Sequence, residues 1–221
     1  MGVDYRYYLI PRPNSFLPEP RQLATFLQAS EAEQWLRPRY PGWIAKETEG
    51  RMPQRQPIAL QDAAKAVEDQ WSGGIRMAWR LWRRDADIPY DLEIHVSPRD
   101  YIYHTSETVD GFGGLASPVN CAICGTRLDF DAPIYLFGVN AIHASCPKCG
   151  TFFDPSEMPA TYTDGWTGEK TLLLGGATYR FALLIDNVPP EEWQHFRVDP
   201  EFMTLCKRIF ACSFYGFGDY S

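Results

Sequence analysis

No run of about 18 apolar residues occurs in this 221-residue chain, which argues against a membrane-spanning helix. Met1-Gly2-Val3-Asp4-Tyr5 lacks the basic-then-apolar layout of a secretory signal, and Arg6 stands where a myristoylation motif expects Ser or Thr. The expectation is a cytoplasmic protein whose thiols stay reduced. Positive charge is in short supply, with 21 Lys and Arg against 28 Asp and Glu and a formal net charge of −7. That balance argues against a general nucleic-acid-binding surface. Nucleophile motifs are missing as well: there is no Gly-x-Ser-x-Gly, and no cysteine with a matched histidine outside the cysteine pairs described below. Gly111-Phe112-Gly113-Gly114 matches no phosphate-cradling loop and reads as a hinge. Disorder is not among the expectations, because 45% hydrophobic and 14% aromatic residues suffice for a packed core.

What the sequence does contain is two cysteine pairs. Cys121-Ala122-Ile123-Cys124-Gly125 is answered by Cys146-Pro147-Lys148-Cys149-Gly150, with 21 residues between the pairs. Two residues between cysteines let a tight turn aim both sulfurs at one metal, and zinc in a structural site takes four soft ligands in a tetrahedron. Gly125 and Gly150 allow a positive φ where the backbone curls around the metal. Two disulfides, iron ligation or unligated thiols are the alternatives. The paired spacing and the reducing compartment favour zinc. His143 could replace a cysteine, but four thiols already close the tetrahedron and leave no position for water, so the metal is expected to be structural.

The Cys-x2-Cys-Gly and Cys-Pro-x-Cys-Gly motifs resemble those of the zinc-ribbon proteins, over residues 118–157 only. The resemblance implies a bound Zn2+ on Cys121, Cys124, Cys146 and Cys149 and a fold built from two knuckles and short strands, here 127–130 and 134–139. It implies no activity, because zinc ribbons occur in enzymes, nucleic-acid binders and scaffolds alike.

In chain order, 4–10 reads as an aromatic strand ended by Pro11 and Pro13. Residues 20–30 and 59–71 read as helices with Leu23, Phe26 and Leu27, and with Leu60, Ala63, Ala64, Val67 and Trp71, as their apolar faces. Gly42–Ala45 starts a short strand, and 47–56 reads as an exposed loop. Ile75–Arg84 fits both periods. We take it as a strand whose outer face is solvated by Arg76, Arg80 and Arg84, while an Arg/Trp anion or partner site is the functional alternative. Residues 91–96 alternate, and Ser97-Pro98-Arg99-Asp100 makes a turn, so 101–106 is expected to return as a hairpin partner with Glu93 opposite His104. Asp91, Glu93, His95 and His104 would then share a wet face. Glu93, His95 and His104 are the candidate acid–base residues, although such a group is more often a cross-strand pair on a wet surface. Residues 171–174 and 177–185 read as a second hairpin. Asp199-Pro200 caps a last helix, in which Cys206 and Cys212 are core thiols. The aromatic tail 214–220 reads as an extended segment.

The expected architecture is α+β: an antiparallel sheet with helices on one face, formed by 1–117 and 158–221 as one discontinuous domain, with the ribbon 118–157 inserted. The expected function is that of a zinc-stabilised binding protein without catalysis. Its partner would be another protein, in an adaptor or toxin-neutralising role. An enzyme with a structural zinc and a Glu93/His104 site is the alternative, and a nucleic-acid-associated ribbon a third.

Overall fold

A computed structural model describes residues 5–46, 54–83, 89–99, 101–104, 115–116, 121, 123–126, 140–142, 146, 148–151, 159–163, 170–174, 177–193 and 195–220. The chain divides into two compact units. One comprises Tyr5–Arg99 with Arg180–Gly216, and the other comprises Met1–Asp4, Asp100–Tyr179 and Phe217–Ser221.

The first unit is built on an antiparallel sheet. Its strands are β1 (Tyr5–Arg12), β2 (Gly42–Lys46), β3 (Gln56–Ile58), β4 (Ile75–Leu81), β5 (Tyr90–Val96), β12 (Phe181–Asp186) and the first half of β13 (Ser213–Tyr220). Their spatial order is β13-β1-β12-β5-β4-β2-β3. Alternation decides which side chains meet the helices. Ile75, Met77, Trp79 and Leu81 of β4, Leu92, Ile94 and Val96 of β5, and Phe181, Leu183 and Ile185 of β12 enter one apolar core. Three helices pack into it: α1 (Pro20–Ala32) gives Leu23, Phe26 and Leu27, α2 (Leu60–Gln70) gives Leu60, Ala63 and Val67, and α4 (Pro200–Phe210) gives Phe202, Leu205, Cys206 and Phe210. A further single turn, α3 (Pro190–Trp193), precedes α4.

The caps follow the sequence. Pro20 opens α1, where its missing N–H costs nothing, and the Glu19 N–H donates to Gln22 Oε1 at 2.9 Å. Asp199 accepts from the Glu201 N–H at 2.8 Å to start α4. Phe210 sits among rings, with centroids 4.8 Å from Phe181 and 5.2 Å from Phe26. The edge strand β3 carries an exposed Pro57, which cannot donate to a further strand.

Two expected pairings are corrected. The hairpin of 91–96 with 101–106 does not form. β5 pairs with β12 and β4, placing Val96 opposite Phe181 and Ile75, and Glu93 opposite Leu184 and Ala78. The Ser97 N–H then donates to the Arg180 carbonyl at 2.8 Å and extends the β5–β12 ladder by one bond. An apolar run, 181–185, thus takes the place on β5 that a turn had suggested for 101–106. The second expected hairpin fails in the same way: β10 (Lys170–Leu174) pairs with β9 (Pro159–Thr163), while β11 (Ala177–Tyr179) pairs with β6 (Tyr101–His104).

The second unit holds two three-stranded sheets. One has the order β10-β9-β7, with β7 at Leu115–Ala116, and the other has the order β11-β6-β8, with β8 at Asn140–Ile142. The four cysteines lie in this unit. The ribbon strands expected at 127–130 and 134–139 and the hinge at Gly111–Gly114 fall outside the described residues. Seven antiparallel strands with four helices among the described residues make the chain α+β.

Candidate metal centre

Each cysteine pair closes the same small turn. The Gly125 N–H donates to the Cys121 carbonyl at 2.9 Å, and the Cys121 N–H to the Thr126 carbonyl at 2.8 Å. The second turn repeats both bonds at 2.8 Å, from Gly150 to Cys146 and from Cys146 to the Thr151 carbonyl. Gly125 has φ +67° and Gly150 φ +70°, and a Cβ at either would meet nothing within 4 Å. Glycine stands there for its backbone conformation, not for lack of space.

The two turns bring four sulfurs together. The Sγ atoms of Cys121, Cys124, Cys146 and Cys149 all lie within 4.8 Å of one another, and two distances across the turns, Cys121 to Cys149 and Cys124 to Cys146, are 3.6 Å. A tetrahedral site with metal–sulfur bonds near 2.3 Å has sulfur–sulfur edges of about 3.8 Å. The donor set therefore suits a thiolate-binding metal ion. Cys121 and Cys146 are buried, Cys124 is half-buried and Cys149 is exposed. His143 is outside the described residues.

Two site residues went unremarked in the sequence. Thr126 Oγ1 lies 3.1 Å from Cys124 Sγ, and Thr151 Oγ1 lies 3.2 Å from Cys149 Sγ. Each hydroxyl is placed to donate to a thiolate. With the Thr126 backbone N–H it lowers the Cys124 thiol to about 6, and the Thr151 hydroxyl lowers Cys149 in the same way. Around Cys146 the Cys149 and Lys148 backbone N–H groups favour the thiolate. Burial and the neighbouring thiols outweigh them, and that thiol is raised. Crowded thiols cannot all ionise beside one another unless a cation joins them. The signal for the two threonines is the repeat Cys-x2-Cys-Gly-Thr, whose sixth position is threonine in both turns.

Cys206 and Cys212 stand apart from this cluster as core thiols. Burial raises both, Cys212 to about 11, and Cys206 is fully buried in α4. Cys212 lies past the helix, after the left-handed cap at Ala211, rather than in it.

The carboxylate–histidine candidates are distributed differently from the expectation. His104 is on β6 opposite Ala177, so the register that would face it to Glu93 is not made. Glu93 meets its own strand neighbour instead, with Oε2 3.2 Å from His95 Nε2. The face is not wet at this position: His95 is 3% exposed and Arg76, its cross-strand partner on β4, 2%. Burial works to raise the Glu93 carboxyl. The His95 hydrogen bond and charge, with Arg76 and Arg55, outweigh it and hold Glu93 below the usual carboxylate range. Only Arg80 keeps the expected outward place, 3.0 Å from Asp91, while Arg84 is outside the described residues.

A second polar cluster was not anticipated. Tyr90 donates to Glu192 Oε2 at 2.7 Å, and Arg83 Nη1 donates to Glu192 at 3.1 Å and to the Tyr90 oxygen at 2.8 Å. Burial and the Glu192 hydrogen bond raise the Tyr90 hydroxyl against the opposing effect of Arg83. Arg83 and Tyr90 line, with Trp35, Phe196 and Phe202, a cavity of about 10 Å3, room for about one water molecule. Glu192 is 102 residues from Tyr90 in sequence, and no local pattern signals such a triad.

Comparison with protein-family models, with curated proteins and with solved structures finds no match to this chain. The four-cysteine cluster is thus the feature of the described residues that points to chemistry. It is a group able to hold a metal ion. Among the described residues no helix is long and apolar enough to cross a membrane.

Proposed function

We propose that the chain is a zinc-stabilised binding protein without catalysis, whose second unit carries a zinc ribbon and whose partner is another protein. The observation that carries the reading is the meeting of four cysteine sulfurs within 4.8 Å on two matching turns. Four thiolates suit zinc and complete its tetrahedron, so the ion would hold the two turns together rather than activate water. Cys121, Cys124, Cys146 and Cys149 would hold it. The chain's own contribution is the pair of turns and the Thr126 and Thr151 hydroxyls that favour the thiolates. A net charge of −7 suits a basic protein partner better than a phosphate backbone, which is the ground for an adaptor or toxin-neutralising role in the cytoplasm.

The test is cobalt substitution of chelator-stripped protein. One equivalent should give the strong sulfur-to-metal absorption of a tetrahedral all-thiolate site, and zinc should displace it. An oxygen-ligated, octahedral spectrum would overturn the reading. A second reading, an enzyme with the same structural zinc, draws on the buried Glu93–His95 contact at 3.2 Å. Shifts of the His95 ring signals on screening small molecules by NMR would favour it over the first.

A further inference from the structure

Four arginines among the described residues meet carboxylates. Arg6 reaches Asp186, Arg80 Asp91, Arg83 Glu192 and Arg208 Glu33. Arg37 and Arg39, like Arg12 over Tyr215, are different. Neither has an ion pair among the described residues, and each lies on an aromatic ring instead. The Arg37 guanidinium carbon is 3.8 Å from the Trp82 ring centroid, the Trp82 and Tyr40 rings are 5.3 Å apart, and the Arg39 carbon is 4.8 Å from the Tyr40 centroid. The four side chains thus form one row with a cation at each end and two rings between.

The row is held by the backbone beneath it. Leu36 bridges to Leu81 at the end of β4, and the Trp82 N–H donates to the Trp35 carbonyl at 2.9 Å. The Tyr40 N–H donates to the Arg37 carbonyl at 3.0 Å, closing a turn around the exposed Pro38. Trp35 and Leu36 anchor the segment in the core. Pro38 and Pro41 restrict it further. Arg39 is exposed, and Arg37, Tyr40 and Trp82 are half-buried. Stacking fixes each guanidinium plane and leaves its N–H groups to accept a partner at a reduced cost in side-chain entropy.

We propose that Arg37, Trp82, Tyr40 and Arg39 form a docking surface for an acidic peptide segment of a partner protein. Trp, Tyr and Arg are the residues that carry binding energy at protein interfaces, and planar guanidiniums suit carboxylates in pairs. Charge complementarity selects the acidic occupant. A nucleic acid would set a long run of phosphates against only two such cations, and is disfavoured. The proposal gives a chemistry to the partner in the binding role above and rests on that role. An acidic segment here is compatible with a basic body elsewhere on the same partner.

The test uses the full chain and fluorescence anisotropy. The probes are labelled twelve-residue peptides of Asp and Glu interspersed with Tyr, Phe, Pro or Gly, equal-length Lys peptides, and a single-stranded oligothymidine. Acidic peptides should bind, more weakly as salt rises. The double variant Arg37→Gln/Arg39→Gln should lose about tenfold or more in affinity with unchanged melting. Acidic-peptide binding that the double variant leaves intact overturns the surface, and so does a preference for Lys peptides or for the oligonucleotide, or binding of no probe at all. Metal content is recorded on the same samples. A chain that holds its zinc but ignores acidic peptides overturns this surface without touching the zinc reading.

Discussion

Removing one hydroxyl beside the cysteine cluster should weaken metal binding without touching a ligand. Thr126→Val keeps the branching of the side chain and deletes the group 3.1 Å from Cys124 Sγ. That hydroxyl is the leading cause of the fall of the Cys124 thiol to about 6. With it, Cys124 is largely a thiolate at neutral pH. Without it, a proton competes with the metal for the sulfur. Loss of a group that orients or activates a metal ligand costs about 10–100-fold in affinity. Position decides where in that range each variant falls. Cys124 is less exposed than Cys149, so Thr126→Val should cost more than Thr151→Val. Cys149 is exposed, and Thr151→Val belongs near the lower end. The pH dependence has a fixed sign. A depressed thiol contributes its thiolate at neutral pH and loses it as pH falls through about 6, so metal affinity should fall more steeply below that pH and acid should release the metal. In Thr126→Val the release should begin at higher pH. Competition against a coloured zinc chelator measures all of this, with Thr126→Ser as the variant that keeps the hydroxyl. Valine variants within about twofold of wild type would refute the role given to the hydroxyls.

Other outcomes follow from single features. Gly42→Ala would drive a Cβ into the Ala78 carbonyl oxygen of β4 and against Trp79, and should destabilise by about 1–3 kcal/mol in chemical denaturation, with a neutral result contradicting the β2–β4 packing. Asp199→Ala removes the α4 cap and should cost about 1 kcal/mol in the same assay, against no change if the cap were idle. Iodoacetamide labelling of metal-stripped protein, read by mass spectrometry, should modify Cys124 and Cys149 first and Cys206 only on unfolding, since burial raises that last thiol. Early labelling of Cys206 would contradict its place in the core.

Much of the element content could be read from side-chain periodicity, and most of the pairing could not. Leu92, Ile94 and Val96 announce a strand and its buried face, but alternation names no neighbour. A turn at Ser97–Asp100 made 101–106 the natural partner. The five-residue run Phe181–Ile185, more than 80 residues downstream, occupies that edge of β5 instead. Long-range competition of this kind has no local signature. The burial of His95 and Arg76 was missed for a related reason. Polar residues alternating with apolar ones usually face water, and nothing local to β4 or β5 marks Arg76 and His95 as buried. β9 was missed because Pro159-Ala160-Thr161 carries little strand signal. The helices fared better, since Pro20 and Asp199-Pro200 mark their starts with local chemistry. The candidate metal site was legible because its geometry is local twice over. Each Cys-x2-Cys-Gly turn is specified within five residues, and only the meeting of the two turns required the fold.

Zinc content per chain is the most direct test of the central claim. Protein purified without chelator and without a metal-affinity tag is assayed by elemental analysis. One zinc per chain, released when the thiols are modified, is the outcome expected of four cysteines closing one tetrahedron. A metal-free protein with all six cysteines reduced, or one in which Cys121, Cys124, Cys146 and Cys149 are disulfide-bonded, would contradict it.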